Sequence, residues 1–300
     1  MRPIHRREFL KTSVAAAAAL AAGPGRLWAA DAAPAPRVIA VHGTDIPLML
    51  QTGIAASGGW AAFVKPGGSV TLKPNAGWAS TPEQGANTHP ALVEACARAC
   101  LAAGAADVVI PENSCSPSDK SFEMSGIAAA ARRAGARLYA LEDAGLFQAV
   151  EIPRGVKLKS AEIARDLLAA DCLINLPVAK SHGGATLTIG MKNWMGAVRD
   201  RGFWHRNNLH QCIADFSSRV KAHLNILDAT RIMVAKGPRG PGPLEHPNQI
   251  VLGTDPVAVD AYAATLFGKE PFAIPYIRIA HDMGIGCGDL ARVEVRHLQA

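Results

Sequence analysis

Short uninterrupted apolar runs alternate with alanine-rich stretches through residues 37–176, and this alternation limits the possible folds more than any other feature. Strands are predicted at 37–41, 69–73, 107–110, 137–141 and 172–176, and helices at 45–56, 89–103, 120–134 and 160–170. A strand with one wet face alternates apolar and polar residues, whereas these runs are apolar throughout, so both faces need cover. Asn87-Thr88 before the second helix and Gly104 and Gly135 after the second and third supply start and stop signals. The β-α-β order predicts an α/β fold: a mostly parallel sheet with helices on both faces. The second half is less regular. It reads as helices at 190–198 and 208–222, strands at 224–228 and 232–235 forming a hairpin around Ala229-Thr230, and a Gly/Pro loop at 236–247. A strand at 249–253, helices at 256–267 and 278–283 and a strand at 292–296 complete the chain, with Pro256 in a helix first turn. No linker or internal repeat divides it, so residues 31–300 are expected to form a single compact domain.

The N-terminus is set apart. Arg6-Arg7-Glu8-Phe9-Leu10-Lys11, an alanine-rich stretch to Ala22, Gly23-Pro24-Gly25 and Ala29-Ala30 have the layout of a cleavable export signal. The paired arginines and mild hydrophobicity resemble the twin-arginine (Tat) type, which makes residues 1–30 a signal cleaved near Ala29 or Ala30. The Tat translocase is then a partner, and the destination is the periplasm or the exterior. This segment also inflates the formal charge of +6. Without residues 1–29, 26 basic residues face 24 acidic ones, so bulk charge offers nothing to nucleic acid.

Other classes are excluded by missing patterns. No apolar run reaches the roughly 18 residues of a membrane span. The six cysteines, at 96, 100, 115, 172, 212 and 287, include no C-x-x-C pair and no ferredoxin-type run. Cys96, Cys100 and Cys172 fall in core positions, while Cys115 and Cys287 lie in loops and read as accessible. Neither a Walker A sequence nor G-x-G-x-x-G follows a strand, so no nucleotide-binding motif is present.

Ligands of open parallel sheets bind beyond the carboxyl ends of the strands. Those ends here carry Lys73-Pro74-Asn75, Glu112-Asn113-Ser114-Cys115, Glu142-Asp143 and Lys180-Ser181-His182-Gly183-Gly184. Gly190-Met191-Lys192-Asn193 adds a third lysine. Lysines and a histidine beside glycines favour an anion, a carboxylate or a phosphate. His205 and His210 are spaced wrongly for two ligands on one helical face, which leaves a single histidine with Asp215 as a base and its orienter, or as one metal ligand with distant help. Asp255 explains itself as a helix cap, but Asp260 falls in an apolar helix, and a buried carboxylate there needs a partner, expected to be a lysine or histidine.

Several of these segments resemble, in order, the domain of unknown function 362 (DUF 362) family. They are Lys73-Pro74-Asn75; Phe122 to Gly126-Ile127; Leu176-Pro177 with Lys180-x-His182; Gly190-x-Lys192-Asn193 with Gly196; and Asp255-Pro-Val-Ala-Val-Asp260. The resemblance covers about residues 69–295. It implies a bacterial or archaeal protein without an agreed activity. Some members carry ferredoxin-like cysteine runs and are called iron–sulfur proteins; this chain lacks the runs, and the label is not carried over.

Together these readings predict an exported protein that binds or transforms a small anionic ligand in a Lys/His/Asp-lined cleft. Lys73, Lys180 and Lys192 would hold the anion, with Asn75 and Asn193 orienting it. His182 and His205 would transfer protons, and Glu112, Asp215 and Asp260 would orient them or hold a metal. The alternatives are a non-catalytic accessory protein, or a metal or iron–sulfur redox protein with dispersed ligands such as Cys115, His182 and Asp260. Cofactor and metal are left unknown.

Overall fold

A computed structural model describes residues 35–300. The export-signal expectations for residues 1–30, the cleavage point included, lie outside the described residues. Strand β1 (Arg37–His42) leads to helix α1 (Ile46–Ala56), whose first turn is capped by Asp45 accepting from the Leu48 amide at 3.0 Å. Strand β2 (Ser69–Pro74), helix α2 (Pro90–Ala102), strand β3 (Asp107–Glu112), helices α3 (Ser118–Met124) and α4 (Ile127–Ala134) and strand β4 (Arg137–Ala140) follow as the alternation predicts. The predicted helix at 120–134 is divided in two. Gly126, at φ 73°, takes a left-handed conformation that breaks it.

The next segment departs from expectation. Strand β5 (Phe147–Glu151) pairs antiparallel with β6 (Ser160–Ala164), and only Arg165–Ala169 is helical (α5), where a helix over 160–170 was expected. Ser-Ala-Glu-Ile-Ala has helical composition, but the pairing buries Phe147, Ile163 and Ala164 together, and packing overrides local preference. Strand β7 (Cys172–Leu176) then passes through Pro177 into β8 (Val178–His182), and β9 (Thr186–Thr188) folds back on β8 with Lys180 opposite Thr188.

Helices α6 (Gly190–Asn193), α7 (Arg201–Arg206) and α8 (Leu209–Ser217) precede a long strand, β10 (Leu224–Met233). The expected hairpin at Ala229-Thr230 does not form. Asp228 Oδ1 accepts from the Thr230 amide and hydroxyl, and Ala229 pairs with Gln249, so the polar residues serve the strand instead of turning it. Strands β11 (Leu244–Glu245) and β12 (Gln249–Gly253), helices α9 (Pro256–Thr265) and α10 (Pro275–Asp282) and strand β13 (Glu294–Gln299) complete the fold.

Along its main path the sheet runs β13-β1-β12-β10-β7-β2-β3-β4. It is mostly parallel, with β12 antiparallel to both of its neighbours. Alternate residues of β1 feed opposite cores. Ile39 and Val41 pack with residues of α1, α2 and α4, while Val38 and Ala40 belong to the core built by α8, α9 and α10. Both faces are therefore covered, as the unbroken apolar runs require. All six cysteines are free thiols; Cys115 is exposed as expected, but Cys287 is buried. Among the described residues no helix is long and apolar enough to cross a membrane.

Candidate functional site

Adjacent parallel strands deliver opposite charges to one point. Lys73, near the end of β2, donates to Glu112 Oε2, at the end of β3, at 2.8 Å, and both side chains are buried. The Ala76 amide donates to the same oxygen at 2.9 Å. Burial holds the Glu112 carboxyl above its usual range and Lys73 below its own, with the ion pair opposing both effects.

Above this pair an amide network ties the strand ends to α6. Asn193 Nδ2 donates to the Lys73 carbonyl and to Asn175 Oδ1, both at 2.9 Å. Asn75 Nδ2 donates to Asn193 Oδ1 at 3.0 Å, and Lys180 Nζ donates to Asn75 Oδ1 at 3.1 Å and to the Ala86 carbonyl. Asp260 of α9 holds α6 from the other side, and its partners are not the expected lysine or histidine but the Gly190 amide at 2.7 Å and the Met191 amide at 3.0 Å. Burial raises its carboxyl to about 7 despite those two bonds. These contacts set the position of Lys192.

A cavity of about 280 Å³ opens over this network, lined by Glu112, Lys180, His182, Lys192 and Arg201, with the exposed His205 at its rim. That is room for roughly nine waters at ~30 Å³ each, at the small end for a ligand site. Lys192 is 7% exposed, and among the described residues its ammonium has one hydrogen-bond partner, the Met195 thioether, at 3.3 Å. The Thr188 hydroxyl is buried at the cavity with no partner. Burial lowers Lys180 to about 7, with Lys192 adding repulsion, and lowers Lys192 to about 8.

His182 differs from its expected role. Its Nδ1 accepts from the Gly184 amide at 2.9 Å and the Ala185 amide at 3.0 Å. That ring nitrogen therefore carries no proton, and Nε2–H is a donor. Burial, with repulsion from Lys192 and then His205, lowers the ring to about 3, so it stays neutral near pH 7. His205 stacks on it at 6.1 Å between ring centroids and is lowered by burial and by Lys192. The arrangement offers several donors and a neutral ring to an anion.

Of the expected site residues, Asn75, Glu112, Lys180, His182, Lys192, Asn193 and His205 line this cavity. Lys73 joins through the Glu112 pair. Asp215 does not join: its carboxylate accepts the Lys157 and Leu158 amides at 2.7 and 2.8 Å and Gln211 Nε2 at 2.8 Å, fastening a loop onto α8. Asp260 supports α6 and does not line the cavity. The dispersed set Cys115, His182 and Asp260 is divided for that reason, and among the described residues no three His, Cys, Asp or Glu side chains group to hold a metal.

Arg201 escaped the sequence reading. Its guanidinium donates to the Asn113 carbonyl at 2.9 Å, Asn113 Oδ1 at 3.0 Å, the Ser114 carbonyl at 2.5 Å and Cys115 Sγ at 3.0 Å, knitting the loop after β3 to α7. The only local signal was its place after Asp200, which caps α7 through the Phe203 amide at 3.0 Å. Thr188 had no signal at all. The Gly/Pro loop contributes Pro238, and the Gly237 amide donates to Ser181 Oγ at 3.0 Å.

The sequence profile of a family described as Domain of unknown function (DUF362) matches residues 70–265, and that of the TAT (twin-arginine translocation) pathway signal sequence matches residues 3–23. The chain therefore carries a signal for export across the membrane. A thylakoid-associated protein of Synechocystis sp. is 27% identical over 258 residues, covering 79% of this chain and 74% of that one. Two of the solved structures to which the chain is similar match it at 11% identity. A Thermotoga maritima protein does so at a TM-score of 0.47, over 75% of this chain and 59% of its own. The lactate racemase apoprotein of Thermoanaerobacterium thermosaccharolyticum does so at 0.40, over 65% and 50%. The match thus spans less than two thirds of either solved chain.

Proposed function

The chain belongs to the DUF362 family, and we propose that this member works in the periplasm after Tat export, binding and transforming a small anionic metabolite in the cleft above Glu112. One observation carries the reading. Lys192 is a buried ammonium with a thioether as its only hydrogen-bond partner among the described residues. A buried charge left so is costly unless an anion completes it. Glu112 does not supply that anion, since its charge is already matched by Lys73. Lys180 and Arg201 add positive charge at the same cavity, and the unpartnered Thr188 hydroxyl adds a donor. A volume of about 280 Å³ suits a ligand the size of a short carboxylate or inorganic phosphate.

Calorimetric titration of the mature protein with short mono- and dicarboxylates and inorganic phosphate tests this. Saturable binding at one site, lost in Lys192→Met and weakened in Lys180→Met, is expected. Binding to none of these anions, or binding unaffected by both substitutions, would remove the reading. Binding without turnover in the presence of any probe would make the protein an accessory binder instead of an enzyme.

A further inference from the structure

The donors around the cavity fall into two groups that face different parts of a ligand. Lys180 and His182 are two apart on β8 and so share one face of it, and Thr188 stands directly opposite Lys180 on β9. Lys180 Nζ spends two N–H bonds on Asn75 and Ala86 and keeps one; the Thr188 hydroxyl is free; His182 presents Nε2–H. That face offers three donors to a carboxylate. Lys192 comes from a different element, α6, and its Nζ is bonded to no oxygen. It is 7% exposed and lines a cavity with other cations, the setting in which part of a lysine's ammonium population gives up its proton and becomes a nucleophile. Its lowering to about 8 agrees with that placement.

We propose that the ligand is a small 2-oxo acid, with its carboxylate on Lys180 and Thr188, and that Lys192 Nζ forms an imine with its carbonyl carbon. The inference rests on the anion-binding reading above and adds a substrate class and a bond. Neutral Lys192 adds to the carbonyl carbon, and the C=O π pair moves to oxygen. One N–H proton passes to that oxygen through His205, at the cavity rim, giving a carbinolamine. The nitrogen lone pair then expels the hydroxyl, which leaves as water with one proton from solvent, and a protonated imine remains. No oxidant or reductant is consumed. His182 Nε2–H donates to the ligand, and with Nδ1 accepting two amides it binds without moving a proton. The Arg201 fork is occupied by the 113–115 loop, so this residue contributes charge without gripping the carboxylate.

The test is reductive trapping with pyruvate as the probe. Mature protein is incubated with pyruvate and sodium borohydride, and the adduct is located by peptide mass mapping. The expected result is a single adduct on Lys192, formed faster at pH 8 than at pH 6 when pyruvate is saturating at both. Lys192→Arg, which keeps the charge, should still bind pyruvate in calorimetry and give no adduct. Thr188→Val should raise the pyruvate concentration needed by about tenfold, the worth of one hydrogen bond. Because the unmutated chain is mapped directly, a variant that fails to fold does not decide the outcome. Pyruvate binding with no adduct on Lys192, or adducts spread over exposed lysines, would overturn the imine and leave anion binding standing. Absence of binding by pyruvate and by every other small anion would overturn both.

Discussion

Gly196 presses its bare α-carbon against Glu112: a Cβ at that position would stand 1.9 Å from Glu112 Oε1 and 2.7 Å from Lys73 Nζ. The backbone cannot retreat easily, because the Gly196 carbonyl accepts from the Asn113 amide at 2.7 Å. Only glycine lets the turn after α6 close over the ion pair. The resemblance segment Gly190-x-Lys192-Asn193 with Gly196 thus has a steric explanation. Gly196→Ala should cost about 1–3 kcal/mol, the range for forcing atoms into a packed site. Gly183→Ala, where nothing lies within 4 Å of an added Cβ, is the control. Equal urea midpoints for the two variants would refute the clash.

Lys73→Met leaves the Glu112 carboxylate buried without its counter-charge. Removing one partner of such a pair costs about 3–5 kcal/mol. The double variant Lys73→Met with Glu112→Gln removes the stranded charge and keeps an acceptor for the Ala76 amide, so it should recover at least half of the loss. A double-mutant cycle by chemical denaturation measures this, and additive losses would contradict the pairing.

The buried lysines set a pH dependence. Lys180 and Lys192 titrate near 7 and 8 in the folded protein and near 10.5 when unfolded. Between those limits the unfolded chain holds more protons, so stability must rise with pH across roughly pH 7 to 10.5. An anion that needs both charges reverses the trend and binds more weakly as pH climbs through 7–8. Melting curves of ligand-free protein should show the rise, and Lys192→Met should flatten it. A wild-type profile no steeper than that of the variant would count against charged lysines facing the cavity.

Cys115 is the exposed thiol among six, and it lies at the cavity beside Arg201. A thiol reagent applied to the native protein should label one cysteine, mapping to Cys115. A bound anion should slow that labelling, and Arg201→Ala, which frees the 113–115 loop, should speed it. Labelling of two or more cysteines at native-state rates would mean that the others are not packed as described.

Much of the fold was legible because apolar runs and helix punctuation are local. The strands from 37 to 176 and the helices between them appear close to their predicted limits. Gly126 splits the helix at 120–134 by a local left-handed conformation, and the other exceptions have tertiary causes. Ser160–Ala164 is a strand because β5 lies beside it, and β10 runs through Ala229-Thr230 because Asp228 captures Thr230. For the site, lysines and amides at strand ends were readable, since parallel strands discharge their polar residues at one edge.

The sequence by itself determined the covered, mostly parallel sheet, the export signal and the lysine-rich edge, because each follows from residues adjacent in the chain. Only the tertiary structure decided which of those residues share a cavity. Asp260 and Asp215 bind backbone amides elsewhere, Arg201 enters from α7, and Thr188 meets Lys180 through the return of β9. It also decided that His182 is a donor, since the two amides on Nδ1 come from a turn whose shape is set by the β8–β9 pairing. Spacing along a chain says which side chains share an element's face. Which faces meet depends on register and on crossovers between distant segments, and those are settled only when the whole core packs.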